Sequence, residues 1–283
     1  MKFADPTNDL AFKKIFGNKN HKNILISLLN AILAFSDEQT ITEVTLLSPY
    51  QVPKIEGLKE TILDIQATNQ RGEKFIVEMQ NKHLGDFTKR SLYYTSKAYV
   101  EQLDKGHLYD TLKKVYFIGI LKFKMFDNKH YISRHLIINQ ETAQQDIEDF
   151  EFTFIELPKF TKTLNQLDSL LEKWIYFIQN AADLTLIPKE YENIQAFQDA
   201  FTIATQTTWE KEELRIYDYI GLRAYDEIHA IKTAEKIGEK RGEKIGQDKK
   251  AIEIAKKSIQ QGLDNSTIIA ITGLSDTIIE RLR

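Results

Sequence analysis

Two acidic side chains that a hairpin brings face to face can hold a divalent cation, and Asp64 and Glu78 are spaced for that. Residues Thr61 to Ala67 and Lys74 to Gln80 alternate as strands, with Gln70-Arg71-Gly72 as the turn between them. Alternation puts Ile62, Asp64 and Gln66 on one face of the first strand, and Ile76, Glu78 and Gln80 on one face of the second. A three-residue loop with glycine at its left-handed position pairs Asn69 with Glu73. Counting back then sets Asp64 opposite Glu78, with Cβ atoms ~5 Å apart. Like charges so placed destabilise a sheet. Mg²⁺ or Mn²⁺ resolves the conflict, because hard cations take oxygen ligands, often one or two carboxylates with water and phosphate. Asp64, Glu78 and the amide of Gln80 therefore read as a metal-dependent phosphodiesterase centre. The competing reading of the same residues is the solvated face of an ordinary hairpin.

Further polar groups follow the pair. Lys82 has the parity of Glu78 and Gln80 if the strand runs on. In the helical stretch Asp86 to Leu103, Arg90, Tyr94, Lys97 and Glu101 form one stripe, opposite an expected apolar side of Leu92, Tyr99 and Leu103. That stripe is either a plain polar face or a surface for phosphate. Other chemistries are excluded. There are no cysteines, hence no disulfide, thiolate metal site or cysteine nucleophile. His21, His83, His107, His130, His135 and His229 include no i, i+4 pair for zinc. No G-x-S-x-G elbow, Walker loop or G-x-G-x-x-G is present, so no nucleotide cofactor is expected. With 38 basic and 41 acidic residues the net charge is −3, so any nucleic-acid contact must come from a local patch.

These residues need elements to position them, and 283 residues at 42% hydrophobic suffice for one domain with an appendage or two small ones. An opening helix is expected with Asp5 as cap, Pro6 in the first turn and Gly17 as a left-handed stop. A second helix spans His21 to Phe35. Strands follow at Thr40 to Leu47, at the hairpin, at the nearly all-apolar Val115 to Phe123, at Tyr131 to Asn139 and at Phe150 to Leu157. The expected division is a mixed α/β domain over 1–160, a helical extension over 161–231 and a C-terminal unit over 232–283.

The last of these opens with a tetrapeptide repeat carrying Gly238, Gly242 and Gly246. It is either a solvated linker helix or a close contact between two copies of the chain. Residues 232–257 hold nine basic and five acidic side chains, a local +4. A helix-turn-helix is disfavoured for the tail, where Ala270 and Gly273 are three apart rather than four. A dimerisation or regulatory unit is the expectation. The apolar stretch Ile24 to Phe35 is broken by Ser27 and Asn30 and is shorter than the ~18–20 residues of a membrane span. The N-terminus lacks a secretory pattern, and a cytoplasmic location is expected.

An aspartate in one strand, a turn, and Glu-x-Gln in the next strand before a helix resembles the PD-(D/E)XK nuclease superfamily. The chain is most similar to its Rpn branch, the recombination-promoting nucleases grouped with transposases. The similarity is carried by DLAFKKIFG (Asp9 to Gly17), LDIQATNQRGEKFIVEMQ (Leu63 to Gln80), RSLYYTSKAYVEQLDKGHLY (Arg90 to Tyr109) and VYFIGILKFKMF (Val115 to Phe126), in that order. The glycine-punctuated repeat and the late TGLS resemble the branch's C-terminal half.

The resemblance implies a restriction-endonuclease-like mixed sheet flanked by helices, a helical C-terminal region, and magnesium-dependent endonucleolytic hydrolysis of DNA. Asp64, Glu78 and the backbone carbonyl of Met79 would be the metal ligands and Gln80 the third catalytic position. Asp9 matches an acidic residue beside the metal, with helix capping as its alternative role and Lys13 as a partner one turn on. Arg90 becomes the chosen phosphate contact, its fork matching phosphate oxygens, with Lys82 and Tyr94 beside it. Two departures stand out. Leu63 takes the place of the motif's proline, and Gln80 takes the place of its lysine, so positive charge must come from elsewhere. A homodimer through the C-terminal helices would present two active sites, one per DNA strand. The alternative is an inactive relative that binds DNA or a protein partner through the same fold.

Overall fold

The computed structural model describes residues 1–51, 61–82, 85–104, 106 and 108–283. Two compact units emerge, Met1–Ile220 and Gly221–Arg283. The divisions expected at 160 and 231 rest on composition alone.

The first unit is built on a six-stranded mixed sheet. Its strands are β1 (Val44–Leu46), β4 (Ile65–Asn69), β5 (Lys74–Gln80), β6 (Val115–Leu121), β7 (Ile132–Leu136) and β8 (Phe150–Glu156), in the order β1-β4-β5-β6-β8-β7. The β5, β6 and β8 strands run parallel, and the flanking pairs are antiparallel. A two-stranded sheet pairs β2 (Tyr50–Gln51) with β3 (Thr61–Ile62). Every residue of β6 is buried, as its unbroken apolar sequence requires of a central parallel strand.

Helices cover both faces of the sheet. On one, α1 (Asp9–Phe16), α2 (Lys22–Leu33), α4 (Leu170–Asn180) and α5 (Gln195–Ala204) pack with Ile65, Phe75, Val77 and Met79. Trp174 stacks on Phe197 in this layer, ring centroids 3.9 Å apart. On the other, α3 (Phe87–Val100) lies over Ile76, Val115, Phe117 and Phe154. With both faces covered, the polar residues that β5 interleaves among apolar ones are forced into the interior. Glu78 is 4% exposed, so it does not lie on the solvated hairpin face that the sequence left open.

Several expectations need correction. The strand expected over Thr61 to Ala67 is broken at Leu63-Asp64 into β3 and β4. Leu63 consequently packs under α3 with Ile76, while Ile65 joins the opposite core, though unbroken alternation would put them together. Only Val44–Leu46 of Thr40 to Leu47 pairs as strand. The opening helix is capped by Asn8, whose Oδ1 accepts N–H bonds from Leu10 at 3.0 Å and Ala11 at 3.4 Å. Asp5 instead closes a turn on Thr7, accepting its N–H at 2.8 Å and its hydroxyl at 2.6 Å. Gly17 is not left-handed, at φ −92°, but a Cβ there would lie 2.7 Å from the Lys13 carbonyl oxygen. In α3 the buried residues are Phe87, Ser91, Thr95 and Ala98, whereas Leu92 is 55% exposed.

The second unit contains the C-terminal part of α6 (Lys211–Gln260), then α7 (Asn265–Thr272) and α8 (Asp276–Leu282). Ala255, Ile268 and Ile279 form its core. The glycine-punctuated repeat is helical, and open space surrounds Gly238, Gly242 and Gly246. Among the described residues no helix is long and apolar enough to cross a membrane.

Candidate active site

The hairpin sets the geometry. Gly72, at φ +79°, supplies the left-handed residue of the loop, and Asn69 N–H donates to the Glu73 carbonyl at 3.1 Å. The Asn69 side chain braces the turn by accepting N–H bonds from Arg71 and Glu73, both at 3.0 Å. From there the ladder runs Thr68↔Lys74, Ala67↔Phe75, Gln66↔Ile76 and Ile65↔Val77, a register that sets Asp64 opposite Glu78. At that point side chains take over from backbone pairing. The Asp64 N–H donates to Glu78 Oε1 at 3.0 Å, and the Met79 N–H donates to Asp64 Oδ2 at 2.9 Å. Each carboxylate is thus fixed on the other strand's backbone, which both ends the ladder and locks the pair together.

Around this seam the polar groups form a chain. Lys13 of α1 holds Asp64 Oδ1 at 3.1 Å. Gln80 Nε2 donates to Glu78 Oε2 at 3.0 Å, and Arg90 Nη2 donates to Gln80 Oε1 at 3.0 Å. Tyr94, one turn along α3, is hydrogen-bonded to Arg90. Arg90 Nε is buried without a hydrogen bond to any described residue, 3.6 Å from the Asp86 carboxylate. The first residues of the chain are pinned on the same strand ends. Asn81 Nδ2 donates to the Thr7 carbonyl at 2.9 Å, and Lys122 Nζ donates to the Thr7 hydroxyl at 2.7 Å. Those anchors position α1, and with it Asp9 and Lys13. A cleft of 210 Å³ opens beside the seam, lined by Lys13, Lys19, Pro49, Asp64 and Gln66 among others.

Electrostatics follow from burial. The Glu78 carboxyl pKa is pushed up by desolvation first and by the Asp64 charge second; the Asp64 N–H bond, Lys13 and Arg90 oppose this without cancelling it. Asp9, which opens α1, is raised by partial burial and then by Asp64, with Lys13 and Lys82 pulling the other way. The Tyr94 phenol is raised by desolvation and by the Glu78 charge. Glu78 and Asp9 thus hold their protons more tightly than free carboxylates would.

The structure therefore gathers Asp64, Glu78, Met79, Gln80, Arg90 and Tyr94 directly, with Asp9 and Lys82 within electrostatic range. Sequence spacing assigned Lys13 to Asp9, but its ammonium lies on Asp64. Only the fold could reveal this, because the contact joins residues 51 positions apart. His83 and His107 lie outside the described residues. Among those described, no three His, Asp or Glu side chains converge as a metal cage. The groups that could serve as donors are instead two carboxylates and a backbone carbonyl. In β5 the Gln80 carbonyl accepts the Lys122 N–H from the β6 side at 2.9 Å. Alternation along the strand sends the Met79 carbonyl to the opposite edge, where Asp64 receives the Met79 N–H. All are hard oxygen donors, and the excess acidity they confine suits a divalent cation that keeps part of its water.

A mixed sheet with helices on both faces and an acidic pair at the seam of its central hairpin defines a protein of the PD-(D/E)XK nuclease fold. Residues 6–234 match the family described as PD-(D/E)XK nuclease family transposase, and the chain belongs to that family. Neither a curated protein nor a solved structure matches it.

Proposed function

We propose that this chain is a Mg²⁺- or Mn²⁺-dependent endodeoxyribonuclease that hydrolyses DNA phosphodiesters. The observation that carries the reading is the reciprocal tie of Asp64 and Glu78, two acidic groups held together where one of them is almost wholly buried. Asp64, Glu78 and the Met79 carbonyl would hold the ion. Bound there, it would supply Lewis acidity to a phosphoryl oxygen and acidify water.

The remaining work falls to the chain's own side chains. Gln80, gripped between Glu78 and Arg90, orders the attacking water through a neutral amide that adds no charge. Positive charge comes from Arg90, whose buried Nε makes no hydrogen bond to a described residue and faces Asp86 at 3.6 Å, with Lys82 nearby. Lys13 balances Asp64 and lines the cleft through which a phosphate would approach. Tyr94 holds Arg90 in orientation, and Asp9 adds an acidic group at the rim. A homodimer through the C-terminal helices would put two such centres on a duplex, in keeping with the open glycine edge of α6.

The test is nicking of supercoiled plasmid with Mg²⁺ or Mn²⁺ by the wild type beside Asp64→Ala. Nicking by the wild type alone supports the reading. Equal nicking by both overturns it, and none by either overturns it in favour of a non-hydrolytic binding protein.

A further inference from the structure

A nuclease must hold more of a DNA strand than the phosphate it cuts, and the chain's overall charge offers no help, at −3. Because β5, β6 and β8 are parallel, the segments leaving their C-terminal ends share one edge of the sheet with Gln80. The register Gln80↔Leu121↔Glu156 places the end of β8 two strand spacings from the proposed centre, roughly 10 Å.

The segment after β6 and the turn after β8 form a bowl of 460 Å³ there, lined by Lys124, Phe126, Asp127, Asn128, Lys129 and Thr161 among others. Its wall is fixed from beneath. Glu156 accepts N–H bonds from Met125 and Phe126 and pairs with Lys159, which also donates to the Phe126 carbonyl at 2.7 Å. Lys159 is consumed by this clamp. Lys124 and Lys129 are exposed and form no ion pair with any described residue, and Asp127 is the one acidic side chain in the lining. Asn128 uses its Oδ1 on the His130 N–H at 3.0 Å, which leaves its amide NH₂ as a donor. Two ammonium groups, an amide and a hydroxyl around a braced hollow suit a polyoxygen anion.

Resting on the nuclease reading, we propose that this bowl binds the phosphodiester backbone of the substrate DNA strand a few nucleotides from the scissile phosphate. A strand carries a charge every ~3.4 Å of helix axis, so a hollow roughly 10 Å away meets its next phosphates.

The test uses the full-length protein and a fluorescein-labelled 20-bp duplex in EDTA, with binding followed by anisotropy across a KCl series. Lys124→Glu with Lys129→Glu is expected to weaken binding by roughly tenfold or more and to lower the slope of log K against log[salt] by about 2. Lys124→Arg with Lys129→Arg should restore binding. The matched reversal Lys189→Glu with Lys211→Glu, on exposed lysines outside the bowl, should leave affinity near wild type.

Equal losses from both reversals would overturn the proposal, as would an unchanged slope. A change seen only in calorimetric binding of inorganic phosphate would do the same, by making the bowl a free-anion site. Plasmid nicking separates the two claims. Asp64-dependent nicking with a bowl variant of unchanged affinity removes the bowl and keeps the nuclease. Bowl-dependent affinity without any nicking does the reverse.

Discussion

Glu78 in β5 and Glu156 at the end of β8 are 4% and 1% exposed, yet they are compensated in opposite ways. Glu156 has everything it needs within the chain: two backbone N–H groups and the ammonium of Lys159, itself 6% exposed on its side chain. Glu78 has a backbone N–H and an amide, and across the seam it faces a second carboxylate, Asp64, with 12% of its side chain exposed. Burial of a charge costs free energy unless a partner offsets it. One glutamate has been given its partner by the sequence three residues on, and it holds a loop in place. The other faces more negative charge, which its backbone N–H bond, Lys13 and Arg90 offset only in part.

If Glu156 is the self-sufficient member of this contrast, removing it should cost the most. Glu156→Ala strands the Lys159 ammonium and the Met125 and Phe126 N–H groups, and the expected loss is about 3–5 kcal/mol. Urea unfolding would report it as a lower midpoint at unchanged m. A loss below about 1 kcal/mol would break the comparison, because Glu156 would then be no better satisfied than Glu78.

Gly119 sits in β6 between the two, paired with Glu78 on one side and Phe154 on the other. A Cβ there would lie 2.9 Å from Phe154 Cδ1 and 3.2 Å from Phe87 Cε1. Gly119→Val is expected to cost about 1–3 kcal/mol through overpacking. Phe87 begins α3, which carries Arg90 and Tyr94, so nicking should fall by up to roughly a hundredfold as that helix shifts. Unaltered nicking in a destabilised variant would detach α3 from the chemistry.

Much of the candidate site's geometry was legible in the sequence, for reasons specific to the hairpin. Gly72 and the alternation on either side of it are local, so they set the register without reference to the rest of the molecule. The break at Leu63-Asp64 was not legible, since it arises when two side chains replace a backbone rung, and strand propensity carries no trace of that exchange. The buried side of α3 was misread because it approaches the sheet through Ser91, Thr95 and Ala98, where small size outweighs hydrophobicity, and leaves Leu92 outside. Asn8 displaced Asp5 as the helix cap because Asp5 was already committed to Thr7. Lys13 could not be assigned to Asp64 until the fold laid α1 across the strand ends.

The contrast can be sharpened by titration. Glu78 is raised from 4.5 to about 8 by desolvation and then by Asp64. A carboxyl whose folded-state value is raised contributes stability that is fully present below the unfolded value and is lost as pH climbs through the folded one. The metal-free wild type should therefore lose stability between pH 4.5 and about 8. Glu78→Gln removes that loss, so at pH 8 the variant should be the more stable by roughly 1 kcal/mol or more, with no advantage near pH 4. Its nicking should fall to that of Asp64→Ala. A variant less stable than wild type at pH 8 would mean that Glu78 is a satisfied structural carboxylate of the same kind as Glu156.

Lys13→Met probes the same balance with the smallest effect. Its side chain is 41% exposed, so loss of the Asp64 pair should change stability by less than about 1 kcal/mol. Its charge is nonetheless one of those that lower the pKa values of both Glu78 and Asp9. Removing it should move the midpoint of the pH-dependent loss upward while leaving the low-pH plateau where it was, a displacement readable in urea midpoints collected across pH. In a Glu78→Gln background the same substitution should move nothing. A shift that survives there would assign the titration to Asp9 instead, and the acidic excess would belong to the rim of the cleft rather than to the seam between β4 and β5.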